Sequence, residues 1–141
     1  MKRLFLDANI VIDALLRSGD LRDNALRILS LSETGQAEVF CSSLSLATAS
    51  YFMEKAKMDH DEIVDRLNIF CEYCTPTRVD ADIVHQALDS VFTDFEDALQ
   101  YFSALSESVD VIITRNSKDF SASLLPVMTA AEFLTFPRQE W

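Results

Sequence analysis

Glycine and proline are scarce here, at 2 and 3 residues of 141. So few glycines leave no place for a Gly-rich dinucleotide fingerprint or phosphate loop, and neither motif is present. With 49% hydrophobic and 25% charged residues, the composition also excludes collagen-like, repetitive and disordered chains. No apolar run is long enough for a membrane span. Met1-Lys2-Arg3-Leu4-Phe5-Leu6 starts like a secretion signal, but Asp7 and Asp13 interrupt it. The cysteines, Cys41, Cys71 and Cys74, are odd in number and make no disulfide framework, which points to the reducing cytoplasm. Cys71-Glu72-Tyr73-Cys74 has the spacing of a redox or zinc half-site. No second pair completes it, and it joins a predicted helix to a predicted strand, the reverse of the thioredoxin order, so a structural role is expected.

Positive charge is the other shortage. Twelve Lys and Arg stand against 23 Asp and Glu, giving a net charge of −11 and a pI near 4.4. That opposes tight, autonomous binding of nucleic acid, which draws on cations through counterion release. Carboxylates gathered in a metal site, or a basic partner covering an acidic surface, would reduce the opposition.

What is present is an alternation of strands and helices in a length suited to one domain over residues 1–141. Lys2–Leu6 reads as a buried strand, with Asn9 capping a helix over Ile10–Leu16. A second helix carries Leu21, Ala25, Ile28, Leu29 and Leu31 and stops at Thr34-Gly35. A strand at Ala37–Cys41 leads into a helix from Leu44 to Lys57. Asp59-His60-Asp61-Glu62 opens another helix, and Cys74–Val79 is a weaker strand. A short helix near Asp82–Leu88, an acidic helix from Asp94, strands at Val111–Thr114 and Pro126–Met128, and a helix over Ala130–Leu134 complete the order. The pattern predicts a three-layer α/β sandwich, a mainly parallel sheet flanked by helices, with ligands outside the carboxyl ends of the strands.

Carboxylates distant in sequence fall at that edge. Asp7 closes the first strand, Asp94 and Asp97 open the acidic helix, and Asn116 and Asp119 follow the strand ending at Thr114. Like charges gathered in one place need a counter-charge, and the simplest is Mg²⁺ or Mn²⁺ held with open positions, the usual apparatus for cutting phosphodiesters. Each residue also has a plainer reading. Asp7 could merely end a strand, Thr93-Asp94-Phe95-Glu96 has the form of a capping box, and Asn116-Ser117-Lys118-Asp119 is ordinary turn composition. On the acidic helix Phe95, Ala98, Leu99, Phe102 and Leu105 make the expected buried stripe, leaving Asp94, Asp97 and Tyr101 on a neighbouring face. Asp7 and Asp97 are the favoured metal ligands, with Asp94 next. Arg115 or Lys118 could hold a phosphate. His60 and His85 are expected at the surface, and Tyr51, Phe52 and Phe92 in the core or an interface rather than stacked on bases.

The motifs Leu6-Asp7-Ala8-Asn9, Asp94-Phe95-Glu96-Asp97-Ala98-Leu99-Gln100-Tyr101 and Ile113-Thr114-Arg115-Asn116-Ser117-Lys118-Asp119-Phe120, in this order and spacing, resemble those of PIN domains. These are metal-dependent nucleases that include the VapC toxins of bacterial toxin–antitoxin pairs. The resemblance covers nearly the whole chain. It implies a parallel sheet with flanking helices and Mg²⁺- or Mn²⁺-dependent endoribonuclease cleavage of single-stranded RNA. Asp7 and Asp97 would be the metal residues, with Asp94, Asn116 and Asp119 completing or supporting the site and Thr114 or Arg115 orienting the scissile phosphate. An antitoxin protein and a homodimer are the protein partners it would allow.

One position departs from the family. A Glu is usual on the helix after the second strand, and Thr48 stands there, a neutral side chain and a poor substitute for a ligand. A catalytically degenerate PIN domain acting as a binding or scaffold module is therefore the alternative. A third reading makes Asp7 the phosphoryl acceptor of a phosphatase or receiver domain, although Asn9 stands where a haloacid-dehalogenase-like enzyme would want a second Asp.

Overall fold

A computed structural model describes residues 1–137 and 140–141. The elements are β1 (Lys2–Leu6), α1 (Ala8–Leu16), α2 (Gly19–Glu33), β2 (Ala37–Ser42), α3 (Ser43–Lys55), α4 (His60–Phe70), β3 (Thr75–Thr77), α5 (Ala81–Leu88), α6 (Phe95–Ser106), β4 (Val111–Ile113), a 3₁₀ turn (Ser117–Phe120), β5 (Val127–Met128) and α7 (Ala130–Thr135). The strands form one parallel sheet in the order β3-β2-β1-β4-β5.

Both faces of this sheet are covered, so the buried stretches of its central strands, Leu4–Leu6, Val39–Cys41 and Val111–Ile113, are continuously apolar. Leu4, Leu6, Val39, Cys41, Val111 and Ile113 pack with α1, α2, α3, α4 and α7 on one side. Phe5, Phe40 and Ile112 turn the other way, onto Tyr101 and Ala104 of α6, which also packs on Ile83 and Ala87 of α5. The result is the expected three-layer sandwich. No helix among the described residues is long and apolar enough to cross a membrane.

Strand order reverses between β1 and β4, which pair in the register Leu6 to Ile113. The Asp7 N–H extends that ladder by donating to the Ile113 carbonyl at 2.9 Å. Residues just beyond Leu6 and Ile113 therefore lie side by side at the carboxyl edge, at the point where such folds open a crevice.

Several local expectations are corrected. Asp7, not Asn9, caps α1, and Asn9 lies inside the helix. Asp94 caps α6 by accepting the Asp97 N–H, so Asp97 rather than Glu96 takes the third helical position and the expected box is displaced by one residue. The buried face of α6 is also rotated: Gln100 and Tyr101 are buried, while Phe95 is 47% exposed and Leu105 39% exposed. The reason lies in a polar network. Gln100 Oε1 accepts from the Ser42 hydroxyl at 2.8 Å, and Gln100 Nε2 donates to Ser45 Oγ at 2.9 Å, so a buried amide is satisfied where an apolar residue would be expected. Of the two places expected for Tyr51 and Phe52, the core is excluded, at 52% and 40% exposed, and an interface is not.

Candidate functional site

Asp7 sits where β1 passes into α1 and is 6% exposed. Its Oδ1 accepts from the Ala8 N–H at 2.8 Å. Its Oδ2 accepts from the Thr114 hydroxyl at 2.8 Å and from the Asn9 amide at 3.2 Å. A carboxylate has about four lone-pair positions, so roughly one is left for a further partner. Burial pushes the Asp7 carboxyl up from its ordinary value. The bonds from Thr114 and Ala8 oppose that, while Glu96 and Asp119 add to the upward push.

Asn9 and Thr114 lock the ends of the two central strands together. Besides its bond to Asp7, Asn9 Nδ2 donates to Thr114 Oγ1 at 3.3 Å, and Asn9 Oδ1 accepts the Arg115 N–H at 3.2 Å. One helical turn further along α1, Asp13 is 1% exposed, and its Oδ2 takes Arg115 Nε at 3.0 Å. Among the described residues Asp13 Oδ1 has no hydrogen-bond partner. Burial raises the Asp13 carboxyl, with Arg115 and Arg17 drawing it back. The β4 exit loop is thus pinned to α1 at Asn9 and again at Asp13.

These contacts bear on the roles expected of Thr114 and Arg115 toward a phosphate. Thr114 is fully buried, and its hydroxyl is engaged by Asp7, Asn9 and the Asn116 N–H. The Arg115 Nε is engaged by Asp13, with the side chain 39% exposed. Both residues position the loop.

Asp97 lies in the first turn of α6, half-buried. Its carboxyl is pushed up to about 7, chiefly by desolvation and then by Asp94, Asp119, Asp7 and Glu96. Asp7, Asp97 and Asp119 line one open cavity of about 510 Å³ with Glu96, Asn9, Thr48, Tyr51 and Phe52. Asp94 lies in an adjoining hollow shared with Glu96, Asp97, Lys118 and Asp119. Asn116 lines neither; its carbonyl accepts the Asp119 N–H at 3.0 Å, shaping the turn that carries Asp119. Thr48 lines the main cavity, and its hydroxyl donates to the Leu44 carbonyl at 3.1 Å within its own helix. Glu96, expected to cap α6, also lines the main cavity, and the signal for it in the sequence is the run of three acids at positions 94, 96 and 97.

Among the described residues no three Asp, Glu, His or Cys side chains are gathered tightly enough to hold a metal ion by themselves. Mg²⁺ asks for less, one or two protein carboxylates with waters or substrate phosphates completing its shell. Asp7 and Asp97 offer hard oxygen donors, and after desolvation the upward push on Asp97 comes from Asp94, Asp119, Asp7 and Glu96. The donor set fits a small divalent cation.

The PIN domain family model matches residues 3–118. The chain belongs to the PIN domain family. It is 26% identical to "Ribonuclease VapC1" of Aquifex aeolicus (strain VF5) over 137 residues, covering 94% of this chain and 93% of that protein. Two solved structures share the fold. VapC-containing VapBC2 of Rickettsia felis, bound to a DNA fragment from its promoter, gives a TM-score of 0.64 at 20% identity, covering 89% of this chain and 96% of the other. VapC20 of Mycobacterium tuberculosis, described as a sarcin-ricin loop cleaving toxin, gives 0.63 at 16% identity, covering 85% and 95%. Membership of this PIN family removes the reading of Asp7 as a phosphoryl acceptor in a phosphatase or receiver domain.

Proposed function

We propose that this PIN domain is a Mg²⁺- or Mn²⁺-dependent endoribonuclease that cuts single-stranded RNA, the toxin of a toxin–antitoxin pair. The observation that carries the reading is the meeting of Asp7, Asp97 and Asp119, with Glu96, in one cavity beside the β1–β4 switch point. The similarity to the VapC1 ribonuclease supports it from sequence. An antitoxin and a second copy of the chain are the protein partners it implies, and the cytoplasm is its compartment.

Asp7 and Asp97 would hold the cation. The chemistry such an ion supplies when bound is Lewis-acid polarisation of the phosphate and activation of water. The remaining work falls to the protein. Thr114 and the Ala8 N–H favour the ionised form of Asp7, and Asn9 fixes its orientation. Asn116 shapes the turn that presents Asp119, while Asp94 and Glu96 add negative potential at the start of α6. The attack would be by water or hydroxide rather than by a protein nucleophile.

A second reading, a catalytically silent binding or scaffold module, is favoured by Thr48, which lines the cavity without a charge. Purified protein incubated with single-stranded RNA separates the two. The nuclease reading expects cleavage only with Mg²⁺ or Mn²⁺, lost in Asp7→Asn and in Asp97→Asn with the fold retained. Cleavage that survives chelator or both substitutions would defeat the site assignment. Absence of both cleavage and metal binding would put the scaffold reading first.

A further inference from the structure

Tyr51 and Phe52 stand on α3, close to one turn beyond Thr48, and line the same cavity as Asp7 and Asp97. Packing does not require them at the surface or beneath it. Ala49 and Met53 of the same helix are 0% exposed and supply its core contact. The two rings meet edge to face, centroids 5.5 Å apart with planes at 75°. The Lys55 ammonium lies over the Tyr51 ring, 5.3 Å from its centroid.

An acidic protein that handles a polyanion needs affinity that does not depend on charge. Twelve cations against 23 anions cannot supply it by attraction to phosphate alone. Base–aromatic stacking can, because every base offers a π face and stacking is indifferent to net charge. Bases are free to stack only where they are unpaired, which selects single-stranded RNA over a duplex. The crossed ring planes decide the size of the grip: two rings at 75° cannot both lie flat on successive parallel bases, so one base is held and the second ring meets its edge.

We infer that Tyr51 and Phe52 form a stacking platform for one unpaired base of single-stranded RNA next to the scissile phosphodiester, with Lys55 beside the adjoining backbone phosphate. The platform rests on the nuclease reading and names how its substrate is held. Tyr51 and Phe52 are positioning residues, acting on the base rather than on the reacting atoms.

The test uses a fluorescein-labelled single-stranded RNA 12-mer and copies in which one base at a time is replaced by an abasic site. Cleavage kinetics are measured with Mn²⁺, and binding by anisotropy with Ca²⁺ in its place. Tyr51→Ala should raise KM and weaken binding by roughly 5- to 100-fold, the range set by loss of one stacked base, and Phe52→Ala by less, since its ring meets only the edge of that base, with kcat little changed in both. Tyr51→Trp should retain affinity. One abasic position should weaken wild-type binding and have no effect on Tyr51→Ala, a non-additivity that simple unfolding would not produce. Unchanged KM and binding in both alanine variants, with active wild type, overturns the platform and leaves the nuclease reading intact. Sedimentation showing that wild type is a dimer and the alanine variants monomers, with affinity lost equally at every abasic position, assigns the rings to a second copy of the chain instead. If wild-type protein binds RNA without cutting it, the binding arm alone decides the platform. If it neither binds nor cuts, the nuclease reading and the platform fall together.

Discussion

Replacing Arg115 with Met keeps most of the side-chain stem but withdraws the guanidinium from Asp13. In the wild type, Arg115 Nε and Asp13 Oδ2 are 3.0 Å apart, the Asp13 side chain is 2% exposed and the Arg115 side chain 39% exposed. Breaking a buried ion pair by removing one partner costs about 3–5 kcal/mol, because the other charge stays buried without compensation. Arg115 is partly solvated, which lowers the worth of the pair, and Asp13 can escape by taking up a proton; about 2–3 kcal/mol at pH 7 is the expected loss. The sign of its pH dependence follows from Asp13. Burial already raises this carboxyl above 3.8, and removing the cation that opposes burial raises it further. The folded variant then holds a proton where the unfolded chain has lost it, so the penalty shrinks as pH falls toward 5. Urea unfolding at pH 7 and pH 5 measures both effects. Asp13→Asn should cost less, about 1 kcal/mol, since it leaves only a solvated guanidinium without its charge partner, and adding Arg115→Met to it should cost little more. An Arg115→Met loss below about 0.5 kcal/mol, equal at both pH values, would refute the view that this pair pins the β4 exit loop to α1.

Two further outcomes follow from the same geometry. Metal-free protein should lose stability as pH rises from about 4 to about 7, because Asp97 is pushed up to about 7 in the fold and is ordinary when unfolded; Asp97→Asn should remove that slope and stabilise the protein at pH 7.5 by about 1 kcal/mol after allowance for solvent screening of a half-buried group, and a steeper pH slope in the variant would count against the clustered charge. Thr48→Glu adds a hard oxygen to the cavity lining and should tighten Mn²⁺ binding in calorimetry roughly tenfold, about 1.4 kcal/mol; unchanged affinity would mean that position 48 lies too far from Asp7 and Asp97 to share an ion.

What the sequence made legible was set by periodicity and chain order. Short apolar runs at Leu4–Leu6 and Val111–Ile113 implied strands buried on both faces, and βα alternation with parallel pairing then carried Asp7, Asp97 and Asp119 to one edge. What it concealed depended on pairing between side chains. Gln100 reads as solvent-facing until Ser42 and Ser45 are seen to satisfy it. Asp13 reads as a polar interruption in an apolar helix until Arg115, from a loop 102 positions later, is found against it. Thr114 looked like a hydroxyl available to substrate because burial at the end of a three-residue strand cannot be read from composition. Tyr51 and Phe52 are expected in the core or an interface on hydrophobicity, and their exposed place in the lining of the cavity excludes the core but not an interface.

The bond from the Thr114 hydroxyl to Asp7 spans 107 positions of sequence. During synthesis at about 5–20 residues per second, the strand that orients Asp7 leaves the ribosome roughly 5–20 s after Asp7 itself. Through that interval β1 lacks its β4 neighbour, and neither the Thr114 bond nor Asp119 exists to complete the carboxylate cluster. A chain able to cut RNA in the cell that makes it would thus be harmless while nascent, its competence delayed until the last third of the sequence folds back onto the first strand.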